Sequence, residues 1–297
     1  MGRYFHFFLP NSNQLCYNNS TLCKGRRKMK KFEKVLIASD FDGTLKTDDG
    51  IITKEVREAI AYFIAEGGYF TVSTGRTYQG FHLYDPGYIN APVLLANGAL
   101  AYDYEKKRIA FFDGIGEEGF EAVRAVRDHF PMASIEMYPF NETYAIHLTD
   151  DTERHFTDQF IAFTVVNDPL EAKGLWQKVM IGSDNETSPE IQKLLKSVTG
   201  DPAFLPTTGS FIEVMKKGVD KGTGLYKLAD YLNVPHERCY AVGDGYNDVE
   251  MLTAAAGAFV PENSAPEALA VATHIVRSNN NHAVAHVIEI LDKLYNS

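Results

Sequence analysis

Short apolar runs that stop abruptly at polar residues alternate with helical segments near both ends of this chain. Residues 35–38, 69–73 and 92–96 form three such runs. A helix between the first two runs would begin at Thr53 and carry on one face Val56, Ile60 and Phe63. Two buried strands joined by a helix form a parallel unit, because the crossover helix covers the sheet. The pattern predicts an α/β fold with a doubly wound, Rossmann-like parallel sheet.

This alternation breaks after residue 100. Residues 101–104 and 108–111 flank a polar turn and predict a hairpin. The next helix would bury Phe120, Val123, Val126 and Phe130. Beyond it, strand-like segments at 134–138, 144–148 and 177–181 are mixed with further helices. We therefore expect an inserted α+β cap domain at residues 113–210.

The strand–helix rhythm returns in the last third of the chain. The pattern predicts a helix at 221–232, strands at 239–242, 258–260 and 274–276, and a closing helix at 283–294. With the first segments, these elements would complete one catalytic core, made of residues 32–112 and 211–297. No segment repeats another, so a solenoid is excluded.

Charge and composition restrict the partners of such a chain. Its 297 residues carry a net charge of −10, although residues 1–31 hold seven Lys or Arg and no acidic residue. An acidic body excludes nucleic acid as the main partner. The apolar runs are too short to span a membrane, and three cysteines cannot frame a disulfide fold, so we expect a cytoplasmic protein. Residues 1–31 are predicted to be an unstructured extension, of which residues 1–28 are expected to be dispensable, with a mis-assigned start as one explanation.

Polar residues with chemical potential follow the predicted strands. They are Asp40-Phe41-Asp42-Gly43-Thr44, Thr74-Gly75-Arg76 and Gly243-Asp244-Gly245-Tyr246-Asn247-Asp248, with Lys221 at the start of a helix. The carboxyl ends of parallel strands share one edge of the sheet, so these groups should meet there. Several carboxylates around one lysine favour a hard divalent cation, Mg²⁺. Together with the hydroxyl and amide donors after the second strand, they predict phosphoryl transfer through an aspartyl phosphate.

The same motifs, in the same order, resemble those of the haloacid dehalogenase superfamily over residues 33–295. A large insertion after Asn97-Gly98-Ala99 is similar to its Cof-like branch of small-molecule phosphatases. The resemblance implies Mg²⁺-dependent hydrolysis of small phosphorylated metabolites, with sugar phosphates favoured. A phosphomutase on the same scaffold, and a sugar-phosphate-binding regulatory protein whose hydrolysis is incidental, remain the alternatives. The sequence indicates no oligomeric state.

The resemblance also implies individual roles. Asp40 would be the nucleophile and a metal ligand, while Asp42 would be the general acid/base and bind the metal through its carbonyl group. Asp244 would be a further metal ligand. The phosphate would be held by Phe41, Thr74, Gly75, Lys221 and Asn247.

Some roles stay open at this stage. Asp248 would either bind the metal directly or orient Lys221 or a metal-bound water, and Arg76 would either contact substrate or fix a helix start. Glu213 is interpreted as a linker residue. Tyr144, His147 and Trp176 would fill the cap core or line the pocket. No reacting group is expected from the cap.

Overall fold

A computed structural model describes residues 30–82, 84–184, 186–199, 203–206 and 211–296. The predicted N-terminal extension lies outside these residues except for its last two. Lys30 Nζ donates to the Ala65 carbonyl at 2.8 Å, and Lys31 Nζ lies 2.7 Å from Asp292 Oδ1. Residues 30 and 31 therefore belong to the core, which corrects the predicted boundary. Within the described residues, no helix is long and apolar enough to cross a membrane.

The described residues form the following strands and helices, each numbered in chain order. The strands are β1 (Leu36–Ser39), β2 (Tyr69–Val72), β3 (Val93–Leu95), β4 (Leu100–Asp103), β5 (Arg108–Phe112), β6 (Ser134–Pro139), β7 (Tyr144–Ile146), β8 (Thr164–Val165), β9 (Trp176–Gly182), β10 (Ala203–Pro206), β11 (Phe211–Met215), β12 (Cys239–Val242), β13 (Gly257–Pro261) and β14 (His274–Val276). The helices are α1 (Lys54–Ala65), α2 (Glu117–His129), α3 (Asp150–Asp158), α4 (Ser188–Thr199), α5 (Lys221–Leu232), α6 (Val249–Ala254), α7 (Pro266–Ala270) and α8 (Ala283–Leu294).

The core is a five-stranded sheet in the order β14-β13-β12-β1-β2, and all neighbours pair in parallel. Strands that are apolar throughout can be buried on both faces by helices. One face packs against α1 and α8, and the other packs against α5 and α6. The predicted doubly wound sheet is confirmed. Thr53 accepts a hydrogen bond from Val56 N and begins α1 where the sequence predicts it.

The run at 92–96 differs from its prediction. It becomes β3, which pairs antiparallel with β4 in a separate three-stranded sheet. One parallel bridge, between Ser73 and Leu94, joins it to the edge of the core sheet. Strand β3 pairs with the hairpin of β4 and β5 because that hairpin follows β3 directly in sequence.

The cap is a six-stranded sheet in the order β10-β11-β9-β6-β7-β8. Helices α2 and α4 cover one face, and α3 lies against the other through Phe156. Trp176 is fully buried in the cap core, which is one of the two positions that the sequence left open for it. Strand β11 pairs antiparallel with β9, so the cap continues to Met215. The predicted return to the core at residue 211 is corrected to residue 216.

Two linkers, residues 113–116 and 216–220, connect the cap with the core. Asp113 in the first linker accepts hydrogen bonds from Lys216 in the second and from Lys227 in α5. These contacts tie both linkers to the helix that presents Lys221.

A close backbone contact fixes the start of α5. Gly98 has φ +91°, and a Cβ there would lie 2.5 Å from the Asp220 carbonyl oxygen and 3.2 Å from the Gly224 Cα. Only glycine combines this φ with this approach at no cost. The turn after β3 is thereby held against the end of α5 that carries Lys221.

We expect Gly98→Ala to lower the free energy of unfolding by about 3 kcal/mol, because strain in φ and a backbone clash add. Gly174→Ala is the matched control. Gly174 has φ +93° with nothing within 4 Å of an added methyl group, so about 1 kcal/mol is expected there. Urea unfolding measures both variants, and equal losses would contradict the close-contact argument.

Candidate active site

Polar residues from several segments meet at one end of the core sheet. Strand β1 lies between β12 and β2, so residues just past these three strands are neighbours. Asp40 follows β1, Thr74 follows β2, and Asp244 follows β12. Lys221 is the first residue of α5, whose Asp220 cap accepts a hydrogen bond from Thr223 N at 2.7 Å. The structure thus brings together the residues that the sequence placed in one site.

Lys221 is the centre of the charged groups. It is fully buried, and its Nζ lies 2.6 Å from Asp40 Oδ1 and 2.6 Å from Asp248 Oδ1. Burial alone would lower the pKa of Lys221, but the two carboxylates outweigh it and raise that pKa. Lys221 is therefore a fixed positive charge beside the predicted nucleophile.

The carboxylates of this cluster are destabilised as anions. Burial, and then the charges of Asp248 and Asp244, raise the pKa of Asp40 well above its usual value, although Lys221 opposes the shift. Burial also raises the pKa of Asp244, while a hydrogen bond from Thr44 opposes that shift. Additional positive charge at this point would lower both pKa values and stabilise the ionised cluster.

The spacing of these carboxylates suits a cation. Asp40, Asp244 and Asp248 each offer an oxygen atom within 4.8 Å of the others. Gly43 has φ +85°, and a Cβ there would lie 2.6 Å from Asp244 Oδ2, so a side chain at this turn would collide with the cluster. An all-oxygen donor set with negative charge fits Mg²⁺ better than zinc.

Asp248 differs from the other two carboxylates. Its Oδ1 accepts from Lys221, and its Oδ2 accepts from the backbone N–H groups of Asp244 at 3.0 Å and Gly245 at 2.9 Å. Both oxygens are thus used to hold Lys221 and the loop after β12. This arrangement favours the orienting role over direct metal binding.

Asp42 lies beside the cluster and is held by two cations. Arg76 donates to both its oxygens, at 2.7 and 3.0 Å, and Lys46 Nζ lies 2.6 Å from Oδ1. Burial would raise the pKa of Asp42, but these hydrogen bonds outweigh it and hold the pKa below its usual value. Residues 74–82 form a loop, so the alternative that Arg76 fixes a helix start is wrong.

The predicted phosphate-binding residues border a polar network that the sequence did not reveal. Asn97, which is 2% exposed, accepts from Asn247 Nδ2 at 3.1 Å and donates to Glu213 Oε1 at 3.0 Å. A Cβ on Gly75 would lie 3.2 Å from Asn97 Oδ1. A side chain at residue 75 would therefore make a tight contact with Asn97, and Asn97 would have to shift by a few tenths of an ångström to relieve it.

The cap contributes two charged groups to the same place, Lys178 and Glu213. Lys178 in β9 donates to the Gly75 carbonyl at 2.9 Å and lies 3.2 Å from Glu213 Oε1. Both side chains are less than 10% exposed. Glu213 is therefore a buried residue of cap strand β11, and its interpretation as a linker residue is wrong. The pair connects the cap directly to the predicted phosphate loop.

A cavity of about 460 Å³ lies between the core and the cap. It is lined by Asp40, Asp42, Thr74, Gly75, Arg76, Asn97, Gln159, Lys178, Glu213, Asp244, Gly245, Tyr246, Asn247 and Asp248. Most of these side chains are polar or charged, so the cavity suits a small hydrophilic ligand.

Comparison with known proteins decides the family. A family model described as haloacid dehalogenase-like hydrolase matches residues 37–288. The chain belongs to this family. The match covers nearly all of the described residues of this haloacid dehalogenase-like hydrolase. It confirms the predicted resemblance, including the Cof-like branch.

The relatives of this hydrolase agree with the predicted enzyme class. It is 27% identical to the 5-amino-6-(5-phospho-D-ribitylamino)uracil phosphatase YitU of Bacillus subtilis, over 86% of this chain and 96% of that protein. It is 28% identical to the phosphatase YbjI of Escherichia coli, which has the same descriptive name, over 86% of this chain and 94% of that protein. The predicted class, a phosphatase of the haloacid dehalogenase type, is confirmed.

A solved structure shows the same fold. A haloacid dehalogenase-like hydrolase from Bacteroides thetaiotaomicron superposes with a TM-score of 0.76 at 22% identity, covering 88% of this chain and 99% of that one. The parallel core with a separate sheet-containing cap is therefore an arrangement shared with known members.

Proposed function

We propose that this hydrolase is a Mg²⁺-dependent phosphatase of small phosphate monoesters that forms a phosphoryl intermediate on Asp40. The observation that carries the proposal is the buried Lys221, held between Asp40 and Asp248 at 2.6 Å from each. This arrangement holds a cation beside Asp40, a carboxylate that lines the polar cavity, and so supports Asp40 as the nucleophile and Lys221 as a phosphate-binding cation.

The metal would be held by Asp40, Asp244 and the carbonyl group of Asp42. The donor set fits, since Asp40 and Asp244 offer carboxylate oxygens within 4.8 Å of one another and burial raises the pKa of both, so that a cation there would stabilise their ionised forms. When bound, Mg²⁺ supplies charge neutralisation for the phosphoryl oxygens and keeps the carboxylates ionised. Asp248 orients Lys221 and the loop that carries Asp244.

The side chains divide the reaction into two steps. A carboxylate oxygen of Asp40 attacks phosphorus, the bond to the leaving oxygen breaks, and Asp42 gives that oxygen a proton. Asp42 then takes a proton from the water that attacks phosphorus, and the bond from phosphorus to Asp40 breaks. Lys221, Thr74, Asn247 and the amides of Phe41 and Gly75 would hold the phosphate oxygens.

We propose sugar phosphates or sugar-alcohol phosphates as substrates. Two relatives are named for 5-amino-6-(5-phospho-D-ribitylamino)uracil, in which the phosphate is esterified to a ribityl chain with uncharged hydroxyl groups. The charges of the cavity support this class. Arg76 and Lys178, the cations among its lining residues, are each paired with a carboxylate, so a second anionic group would find little free positive charge.

A hydrolysis screen over phosphorylated metabolites tests the proposal. We expect release of inorganic phosphate from uncharged polyol esters, strictly with Mg²⁺, and weaker activity on bisphosphates and phosphorylated acids. Adding a second sugar to the assay distinguishes a phosphomutase, which would transfer the phosphoryl group to that sugar. Binding without turnover across the panel would contradict the proposal.

The metal assignment gives a separate prediction. Asp244→Asn should raise the Mg²⁺ concentration for half-maximal activity by about 10-fold or more and lower kcat, because one charged ligand is lost. Asp230→Asn, an exposed residue on α5, is the control and should change neither value. Full activity of the native protein in excess chelator would contradict the assignment.

A further inference from the structure

The cap carries a buried polar chain that ends at the cavity. It begins at Glu136 in β6, a side chain with no solvent exposure. Glu136 Oε2 accepts from the Tyr138 hydroxyl at 2.6 Å and from His155 Nδ1 at 2.9 Å. A buried carboxylate needs such donors, so this contact places a proton on Nδ1 of His155.

The other nitrogen of His155 then sets the orientation of an amide. His155 Nε2 lies 2.5 Å from Gln159 Nε2. In the imidazole tautomer that carries its proton on Nδ1, Nε2 is an acceptor, and the amide nitrogen of Gln159 that faces it is the donor. The side-chain carbonyl Oε1 of Gln159 is left on the opposite side of the amide.

On that opposite side Oε1 lies beside the core loop after β2, next to the cavity that Gln159 lines. Gln159 lines the cavity that also contains Asp40 and Thr74. A Cβ on Gly80, in the core loop after β2, would lie 2.6 Å from Gln159 Oε1. The main chain of Gln159 is anchored as well, because its carbonyl lies 3.0 Å from His82 Nε2.

We propose that Gln159 determines specificity by accepting, through Oε1, a hydrogen bond from a hydroxyl group of the leaving alcohol. Glu136 and His155 are positioning residues that present this carbonyl to the cavity. A site with an oriented acceptor discriminates against ligands that lack the matching hydroxyl. The inference rests on the proposed phosphatase function and names the part of the substrate that the cap recognises.

Kinetics of Gln159→Leu test the proposal, with ribose 5-phosphate, ribitol 5-phosphate and glucose 6-phosphate as hydroxylated probes and acetyl phosphate as the probe without hydroxyl groups. We expect KM for the best hydroxylated probe to rise about 10-fold, with kcat changed less, because one hydrogen bond in substrate binding is lost. The value of kcat/KM for acetyl phosphate should stay within about twofold. Gln192→Leu, on cap helix α4, is the matched control and should change neither probe.

His155→Phe tests the positioning role, since it keeps a ring but removes the acceptor. It should raise KM for the hydroxylated probe in the same direction and add no further loss to Gln159→Leu, because His155 acts through Gln159. Additive losses would overturn the positioning role. Thermal unfolding of each variant shows that the cap remains folded.

The outcomes separate this inference from the proposed function. If the native protein hydrolyses no probe, the proposed function fails. If it hydrolyses acetyl phosphate but no hydroxylated probe, phosphoryl transfer to Asp40 stands, while the proposed substrate class and the role of Gln159 are both overturned. If Gln159→Leu slows all probes equally, the function stands and the role of Gln159 is overturned. An equal loss would show that Gln159 only holds the cap against the core.

Discussion

Asp40→Asn is expected to abolish turnover of every phosphate ester, with a loss of at least about 10⁴-fold in kcat. The amide cannot form the acyl phosphate, and Asp248, the other carboxylate that contacts Lys221, uses both oxygens to hold Lys221 and its own loop. Steady-state phosphate release measures the loss with sugar phosphates and with acetyl phosphate.

The control for this variant is Asp230→Asn, which removes an exposed carboxylate from the core surface and should leave kcat unchanged. We expect Asp40→Asn to remain folded, since Lys221 keeps Asp248 as a partner. Circular dichroism checks that it does. Residual turnover within about 10-fold of the native value would mean that water attacks the substrate directly.

The second large effect separates the two aspartates of the first motif. Asp42→Asn should slow the phosphorylation of Asp40 by sugar phosphates about 10²- to 10⁴-fold, because an alkoxide leaves poorly without a proton. With acetyl phosphate the same step should slow less than about 10-fold, since that leaving group needs little protonation. Single-turnover rates across leaving groups measure the difference.

The contacts of Asp42 sharpen this prediction. The hydrogen bonds from Arg76 and Lys46 lower the pKa of Asp42, which suits the step that takes a proton from water. The step that protonates the leaving oxygen uses the neutral carboxyl group, which Asp42 regains each time it takes that proton. The neutral variant loses both ion pairs, so Arg76→Gln is a useful companion that keeps the carboxylate and removes one cation. A loss in Asp42→Asn that is uniform across leaving groups would mean that Asp42 serves mainly the metal site.

The core was predictable from sequence because local and global signals agree there. Apolar runs without alternation can only be buried on both faces, and the polar residues after them must then reach one edge of the sheet. Thr53 caps α1, and Lys221 opens α5 where the pattern predicts. Asp40 and Lys221 are 181 residues apart in sequence, yet strand order alone places them together.

The cap was less predictable because its contribution comes from tertiary contacts. Lys178 follows a glutamine in an otherwise apolar strand, and nothing local shows that its ammonium group reaches the Gly75 carbonyl. Glu213 looked like a linker residue because the pairing of β11 with β9 joins segments about 30 residues apart. A charged residue within an apolar strand was the available signal, since buried charges require partners.

The most direct test of the account is the site of phosphorylation. The Asp42→Asn variant is mixed with Mg²⁺ and acetyl phosphate, quenched within the first turnover, and mapped by peptide mass spectrometry after borohydride reduction of the acyl phosphate. We expect one phosphoryl group on the intact protein before reduction and homoserine in place of Asp40 after it, since borohydride releases the phosphate, and we expect neither signal in an Asp40→Asn/Asp42→Asn double variant. Phosphate on another residue, or product formation with no covalent adduct at any time, would contradict it.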